Sequence, residues 1–257
     1  MNTVDKPPPG SVSVDNPSVR RASVSDVWRV PVAVWRARRA LDRGDLEAAR
    51  TLTAPLLGDF GTVTFIRKLA AEVLYAAGDP LSAAALFEQA AKRLPHDRAV
   101  VVGLVASYAA LNRAGDARRS AALLPEQIDV RLALAWAELV ALGGDRDRGA
   151  TLVAGIVKDP ELALSAERVA MHHALEAIVS ARSGDREDVR AKLRLAEQNA
   201  PKLRAGDRAF LGYLGGVALR EVGLVDDARA TFGLAMDASP ESIGAALGRR
   251  ERANLGR

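Results

Sequence analysis

Residues Leu69–Pro95 read LAAEVLYAAGDPLSAAALFEQAAKRLP. Apolar and small residues recur every three to four positions on both sides of Gly78-Asp79-Pro80, which is the period of an amphipathic helix and not of a strand. Glycine accepts the left-handed conformation that ends a helix, and an aspartate carboxylate can cap the amides that open the next. Proline suits the first helical position, where its missing N–H is not needed. The stretch therefore reads as a helix, a tight hinge and a second helix.

The hinge recurs along the chain. Gly44-Asp45, Gly115-Asp116, Gly144-Asp145 and Gly184-Asp185 repeat it, and Gly223 continues the series, while Gly58-Asp59 and Gly206-Asp207 fall between units. Aligned on the turn glycine, a small residue stands seven before it: Ala37, Ala71, Ala137, Ala177, Gly216. Five after it come Ala49, Ala83, Gly149, Val189 and Ala228, and nine after it Thr53, Phe87, Val153, Leu193 and Phe232. Twelve after it come Leu56, Ala90, Ile156, Ala196 and Ala235, and prolines close units at Pro95, Pro160, Pro201 and Pro240. Small residues let two antiparallel helices approach, and the large one fills the hole left beside them. A hairpin of this kind cannot bury its apolar face alone, so it must stack in tandem.

This pattern resembles the tetratricopeptide repeat, most closely in Leu69–Pro95 and in Leu214–Pro240 (LGGVALREVGLVDDARATFGLAMDASP). The expected fold is all-α: a solenoid of about six helix–turn–helix hairpins at 30–63, 64–97, 98–129, 130–163, 170–203 and 209–242. A capping helix follows over 243–257, with Ser239 as its N-cap and Pro240 as its first residue. The third unit fits best with its turn near Asn112, and Pro125 cuts its second helix short. Extra residues near 160–169 and 202–208 imply longer helices or linkers. Residues 1–25, with Pro7, Pro8, Pro9, Gly10 and Pro17, read as a disordered arm before an N-cap at Asp26. Pro31 marks a second point at which that helix could start. In the arm, Arg20-Arg21-Ala22-Ser23 makes Ser23 a candidate phosphosite, against the blander reading of an incidental motif.

The resemblance implies that the first helix of each hairpin lines a concave groove for a partner's helix or peptide. By spacing, that surface takes Val34, Arg38 and Leu41; Phe65, Lys68, Glu72 and Tyr75; Val102, Ala106 and Ala109. It continues with Arg131, Leu134 and Glu138; Met171, Ala174 and Ile178; Phe210, Tyr213 and Val217. The candidate partner-binding residues are Phe65, Lys68, Tyr75, Arg131, Leu134, Phe210 and Tyr213. The surface is mostly apolar, which suits an apolar or amphipathic segment. One subgroup of the family clamps acidic chain ends; Lys68 and Arg131 are of the right type, but its asparagines are missing and Glu72 would repel a carboxylate.

Composition narrows the chemistry. The 257 residues hold 49 alanines and no cysteine, which excludes a disulfide framework, a thiolate zinc site and a cysteine nucleophile. The three histidines do not assemble a site: His172 and His173 are adjacent on a helix and diverge by about 100°, and His96 sits in a loop. No phosphate-binding loop, dinucleotide fingerprint or nucleophile elbow occurs, so no enzyme activity, cofactor or metal is expected. The net charge of +4 is spread over 68 charged residues, which disfavours nucleic acid. The alternative is a regulatory module whose arginine-rich terminal helices contact nucleic acid or another anionic surface. Trp28 and Trp35, with Arg29, Arg36, Arg38 and Arg39, could serve that, but tryptophans seven apart more simply pack on the next hairpin. The longest apolar stretch, Ala99–Leu111, is about 13 residues, short of the ~20 a membrane helix needs. A cytoplasmic protein with a protein or peptide partner is the expectation, with self-association left open.

Overall fold

The computed structural model describes residues 24–255, with side chains from Arg29 onward. The arm up to Ser23, with its candidate phosphosite, lies outside the described residues. Among the described residues there are thirteen α-helices. They pair as six antiparallel hairpins: α1 (Val24–Asp42) with α2 (Leu46–Phe60), α3 (Thr64–Ala76) with α4 (Pro80–Ala91), and α5 (Arg98–Ala110) with α6 (Ala114–Ala121). Then come α7 (Ile128–Val140) with α8 (Arg146–Ile156), α9 (Ala166–Ala181) with α10 (Arg186–Glu197), and α11 (Ala205–Glu221) with α12 (Val225–Ala238). The last helix, α13 (Ile243–Asn254), packs on both α11 and α12.

The hinges work as the local chemistry requires. Gly44, Gly78, Gly184 and Gly223 adopt φ between 76° and 81°. The Asp45, Asp79, Asp145 and Asp185 carboxylates accept from amides two to three residues on, at 2.9–3.1 Å. Each such cap is worth about 1 kcal/mol. In the third hairpin Asn112 takes the left-handed position with φ 59°, as its spacing implies, and Gly115-Asp116 falls inside α6. In the fourth, Gly143 (φ 75°) and not Gly144 makes the turn.

Four boundaries differ from the sequence reading. Helix α1 starts at Val24, so Asp26 lies in its first turn and Pro31 inside it. A proline at the eighth helical position gives up one backbone bond. Gly58-Asp59 ends α2, and Gly206-Asp207 sits in the first turn of α11. The extra residues before units five and six go both ways: α9 and α11 grow to 16 and 17 residues against 13 in α3, and 3-10 turns form at Leu162–Leu164 and Ala200–Lys202. Finally, Ser242 and not Ser239 caps α13, accepting from the Ala245 amide at 3.3 Å while donating to the Ser239 carbonyl at 2.8 Å.

The packing code places Phe87 against Gly103 of the following hairpin, where any Cβ would fall inside the ring. Phe232 fills the same kind of gap at Gly216. A single core runs from α3 to α13, while Ala37, Ala40, Ala49, Leu69 and Val73 form a smaller cluster under the first hairpin. The stack also curls until its ends meet. The Arg250 guanidinium donates to the Ala110 carbonyl at 3.0 Å, and Gly78 lies against Ala246 and the start of α13.

Candidate functional site

Because the stack closes on itself, the inner helices surround a cavity of about 960 Å³ and not an open trough. Its floor is apolar: Tyr75, Val102, Leu132, Trp136, Met171, Phe210, Leu211 and Leu214 line it, with Ile243 of α13. Phe210 meets Trp136 edge-on, with ring centroids 4.9 Å apart and planes at 84°. That arrangement suits aromatic quadrupoles and fixes both rings.

The mouth is charged. Lining residues Asp97, Arg98, Asp129, Glu167, Arg168, Arg204 and Asp207 stand at or beside the first turns of α5, α7, α9 and α11, and Lys68, Glu72, Arg38 and Asp42 complete the ring from α3 and α1. Ion pairs tie each inner helix from α1 to α9 to the next, and a local pair sits at the start of α11. Arg38 joins α1 to Glu72 of α3, and Lys68 Nζ donates to both Asp97 oxygens at 2.9 and 2.8 Å. Arg98 bonds Asp129 of α7, which also accepts from Arg168 of α9 at 2.8 Å. Arg204 pairs with Asp207 at 2.8 Å. Burial tends to raise the Asp97 pKa, but the Lys68 ammonium and the Val100 amide outweigh it and hold the carboxyl below its usual range. Glu72 goes the other way: its burial prevails over Arg38 and Lys68 and raises it.

The residues singled out in the sequence divide unevenly over this site. Lys68, Tyr75 and Phe210 line the cavity. Burial pushes the Tyr75 phenol up. Phe65 lies half exposed, outside the lining, on the same helix face as Lys68. Tyr213 is 1% exposed, seals the closed end beside Trp136 at 6.3 Å, and its phenol is pushed up to about 12 by burial and by nearby Glu251. It is not available to a partner, nor is Leu134, which is buried in the core.

The fourth hairpin corrects the groove assignment. Arg131 turns away to Asp159 at 3.1 Å, and Glu138 is fully buried among Arg118, Arg148 and the Asp145 amide. Asp129, Leu132 and Trp136 face the cavity instead. The loop Ala141–Asp145 is two residues longer than Ala77–Asp79, so counting back from Gly144 falls short by two positions. Two positions rotate a helix by about 200°, onto its opposite face. In the fifth and sixth hairpins Met171 lines the cavity, but Ala174, Ile178 and Val217 are core.

Spacing places Arg38, Lys68 and Glu72 on the groove. The rest of the charged ring escaped sequence reading because its members lie at or beside the first turns of the later inner helices or, for Asp42, at the end of α1, outside the groove positions that spacing assigns. Acidic residues at inner-helix starts (Asp97, Asp129, Glu167, Asp207) were its visible signal. Two other expectations change. Trp35 is not packed on a neighbour among the described residues: it is 57% exposed with the Arg39 guanidinium 5.1 Å over its ring. His172 and His173 do not merely diverge, since both Nδ1 atoms approach Glu176 Oε2, at 3.7 and 2.7 Å. That trio has the composition of a metal site. Lys192, 3.3 Å from Glu176 Oε1, places a competing positive charge there.

Residues 74–142, from the end of α3 through α7, match a family model described as tetratricopeptide repeat. No curated protein matches the chain. No helix among the described residues is long and apolar enough to cross a membrane.

Proposed function

We propose that this tetratricopeptide repeat protein is a non-catalytic interaction module that captures an apolar or amphipathic partner segment in the cavity ringed by its inner helices. Repeats of this kind generally mediate protein–protein contact. The observation that carries the reading is the floor: aromatic and aliphatic side chains lining a volume at the upper end of the size range of small-ligand pockets. Buried aromatic anchors of this kind dominate binding energy in protein interfaces. Tyr75, Phe210 and Met171 are the anchors, backed by the buried Trp136, Lys68 belongs to the charged rim, and Phe65 extends the apolar surface outside it.

The alternative, contact with an anionic surface through the terminal helices, draws less support. Arg249 and Arg250 of the C-terminal helix are held by the protein's own Pro240 and Ala110 carbonyls, so they are oriented toward the fold and not presented as a free basic face.

A pull-down from native lysate tests the reading with two charge insertions. Met171→Arg puts a charge over the floor, whereas Leu81→Arg lies on exposed α4, outside the cavity. The partner should be lost with the first and kept with the second. Equal retention by both would overturn the reading.

A further inference from the structure

Three features constrain what the cavity receives. Its inner end is blind: α13 sits on Gly78, Arg250 holds the Ala110 carbonyl, and Tyr213 and Trp136 fill the space between. A segment cannot run through, so it must enter by one end. The floor beneath the mouth is apolar. The mouth itself is a nearly compensated ring, in which ten of the eleven charged lining residues are ion-paired with one another. The eleventh is Glu167, exposed in the first turn of α9 with no ion pair or hydrogen bond among the described residues.

We propose that the cavity takes the free amino terminus of a partner polypeptide, its first apolar side chains on the Tyr75, Phe210 and Met171 floor and its α-ammonium against Glu167. This rests on the partner-capture reading above and specifies the end that enters. An amino terminus matches the site in each respect. It is a chain end, it carries a cation at neutral pH, and it places apolar side chains directly behind that charge. A carboxy terminus would bring a third anion beside Glu167 and Asp207. An internal lysine would need the chain to pass in and out of a blind space. Desolvation by the surrounding mouth, with Asp207 adding to it and Arg204 and Arg168 opposing, lifts the Glu167 carboxyl above its ordinary range, and a cation arriving there would offset that cost. An arriving ammonium would form a charge-assisted hydrogen bond there.

Native mass spectrometry of the full chain with three hexapeptide pools tests this. All pools are randomised over Leu, Ile, Val, Phe and Met at the first four positions. One has a free amine, one is N-acetylated, and one is N-acetylated with lysine at position five. The free-amine pool should be retained at least tenfold more strongly than either acetylated pool. Glu167→Gln, at an exposed position that does not support the core, should abolish that preference while leaving residual apolar binding. Equal retention of the free-amine and acetylated pools, or a preference unchanged in Glu167→Gln, would overturn the amino-terminal assignment and leave partner capture standing. Retention of the lysine pool equal to the free amine would replace the terminus with a side-chain cation. If no pool is retained, the capture reading fails with it.

Discussion

Glu138 has no accessible surface, yet its carboxylate is saturated: Arg118 donates twice, at 2.8 and 2.7 Å, the Asp145 amide once at 2.8 Å, and Arg148 lies 3.5 Å away. Burial works to raise its pKa, but Arg118 and the Asp145 amide prevail and hold it below the ordinary value. A depressed carboxyl stabilises the fold above its unfolded pKa, about 4.3, and that contribution is lost as pH falls through the folded value. Removing one member of such a cluster strands the others, so Glu138→Ala should lower stability by about 3–5 kcal/mol in urea unfolding at pH 7. A loss under about 1 kcal/mol would mean the cluster is merely tolerated. His172 titrates in a different window. Its Nε2 reaches the Val153 carbonyl at 3.1 Å, and burial drives its pKa down against the opposing influence of that bond and of Glu176, while His173 and Lys192 add to the fall. A histidine whose folded pKa is depressed is protonated first in the unfolded chain. Stability is then complete above about pH 6.5 and declines as pH falls toward the folded value. The urea midpoint should drop between pH 7 and 5, and His172→Gln should flatten that slope; equal slopes would clear His172 of the effect. Neither environment was legible in the sequence. Spacing put Glu138 on the groove and left His172 unassigned, because burial and partners come from helices that adjoin only after stacking.

At the scale of the elements, what could be read ahead was whatever depends on neighbours along the chain. Hinges, caps and the small–large code are local, and Asn112 could be recognised as a turn because it stands where the glycine otherwise does. What failed was phase. Asp145 correctly registers α8, while the lengthened loop before it shifts α7 by two residues and brings Trp136 to the cavity in place of Glu138. Gly143-Gly144 was the available sign, since only one of two adjacent glycines is needed for the left-handed turn. The last helix makes the sharpest prediction here. A Cβ on Gly244 would overlap the backbone of Ala209 and Phe210, atoms that cannot swing aside as a side-chain end can. Gly244→Ala should therefore push α13 off α11, at a cost of about 1–3 kcal/mol. Trypsin should then cleave at Arg249, Arg250 and Arg252 much faster than in wild type. Unchanged cleavage would show that α13 adapts by sliding.

Over the whole molecule, closure is what sets this chain apart from a solenoid whose units touch only their neighbours. Sequence periodicity specifies each interface between adjacent hairpins but carries no signal for the meeting of Ala110 with Arg250 or Gly78 with Ala246, which depends on the curvature accumulated across all six. The same curvature turns an expected groove into a cavity with a floor. It also redistributes stability. The first hairpin keeps its own small cluster outside the continuous core, so α1 and α2 should open first and exchange their amide protons fastest. Helices α3 and α4 are next in line, but their turn is pinned by α13 from the far end of the chain. Ending the chain after Pro240 removes that pin along with the burial of Ile243, Ala245 and Leu247. Amide exchange in α3–α4 should then accelerate at least tenfold, even though the deleted residues lie far away in sequence. Exchange in α7 and α8, which pack chiefly on each other and on α5 and α9, should change less. If protection falls evenly from α12 backward and reaches α3–α4 last, the ends touch without supporting each other, and the cavity floor would owe its shape to local stacking alone.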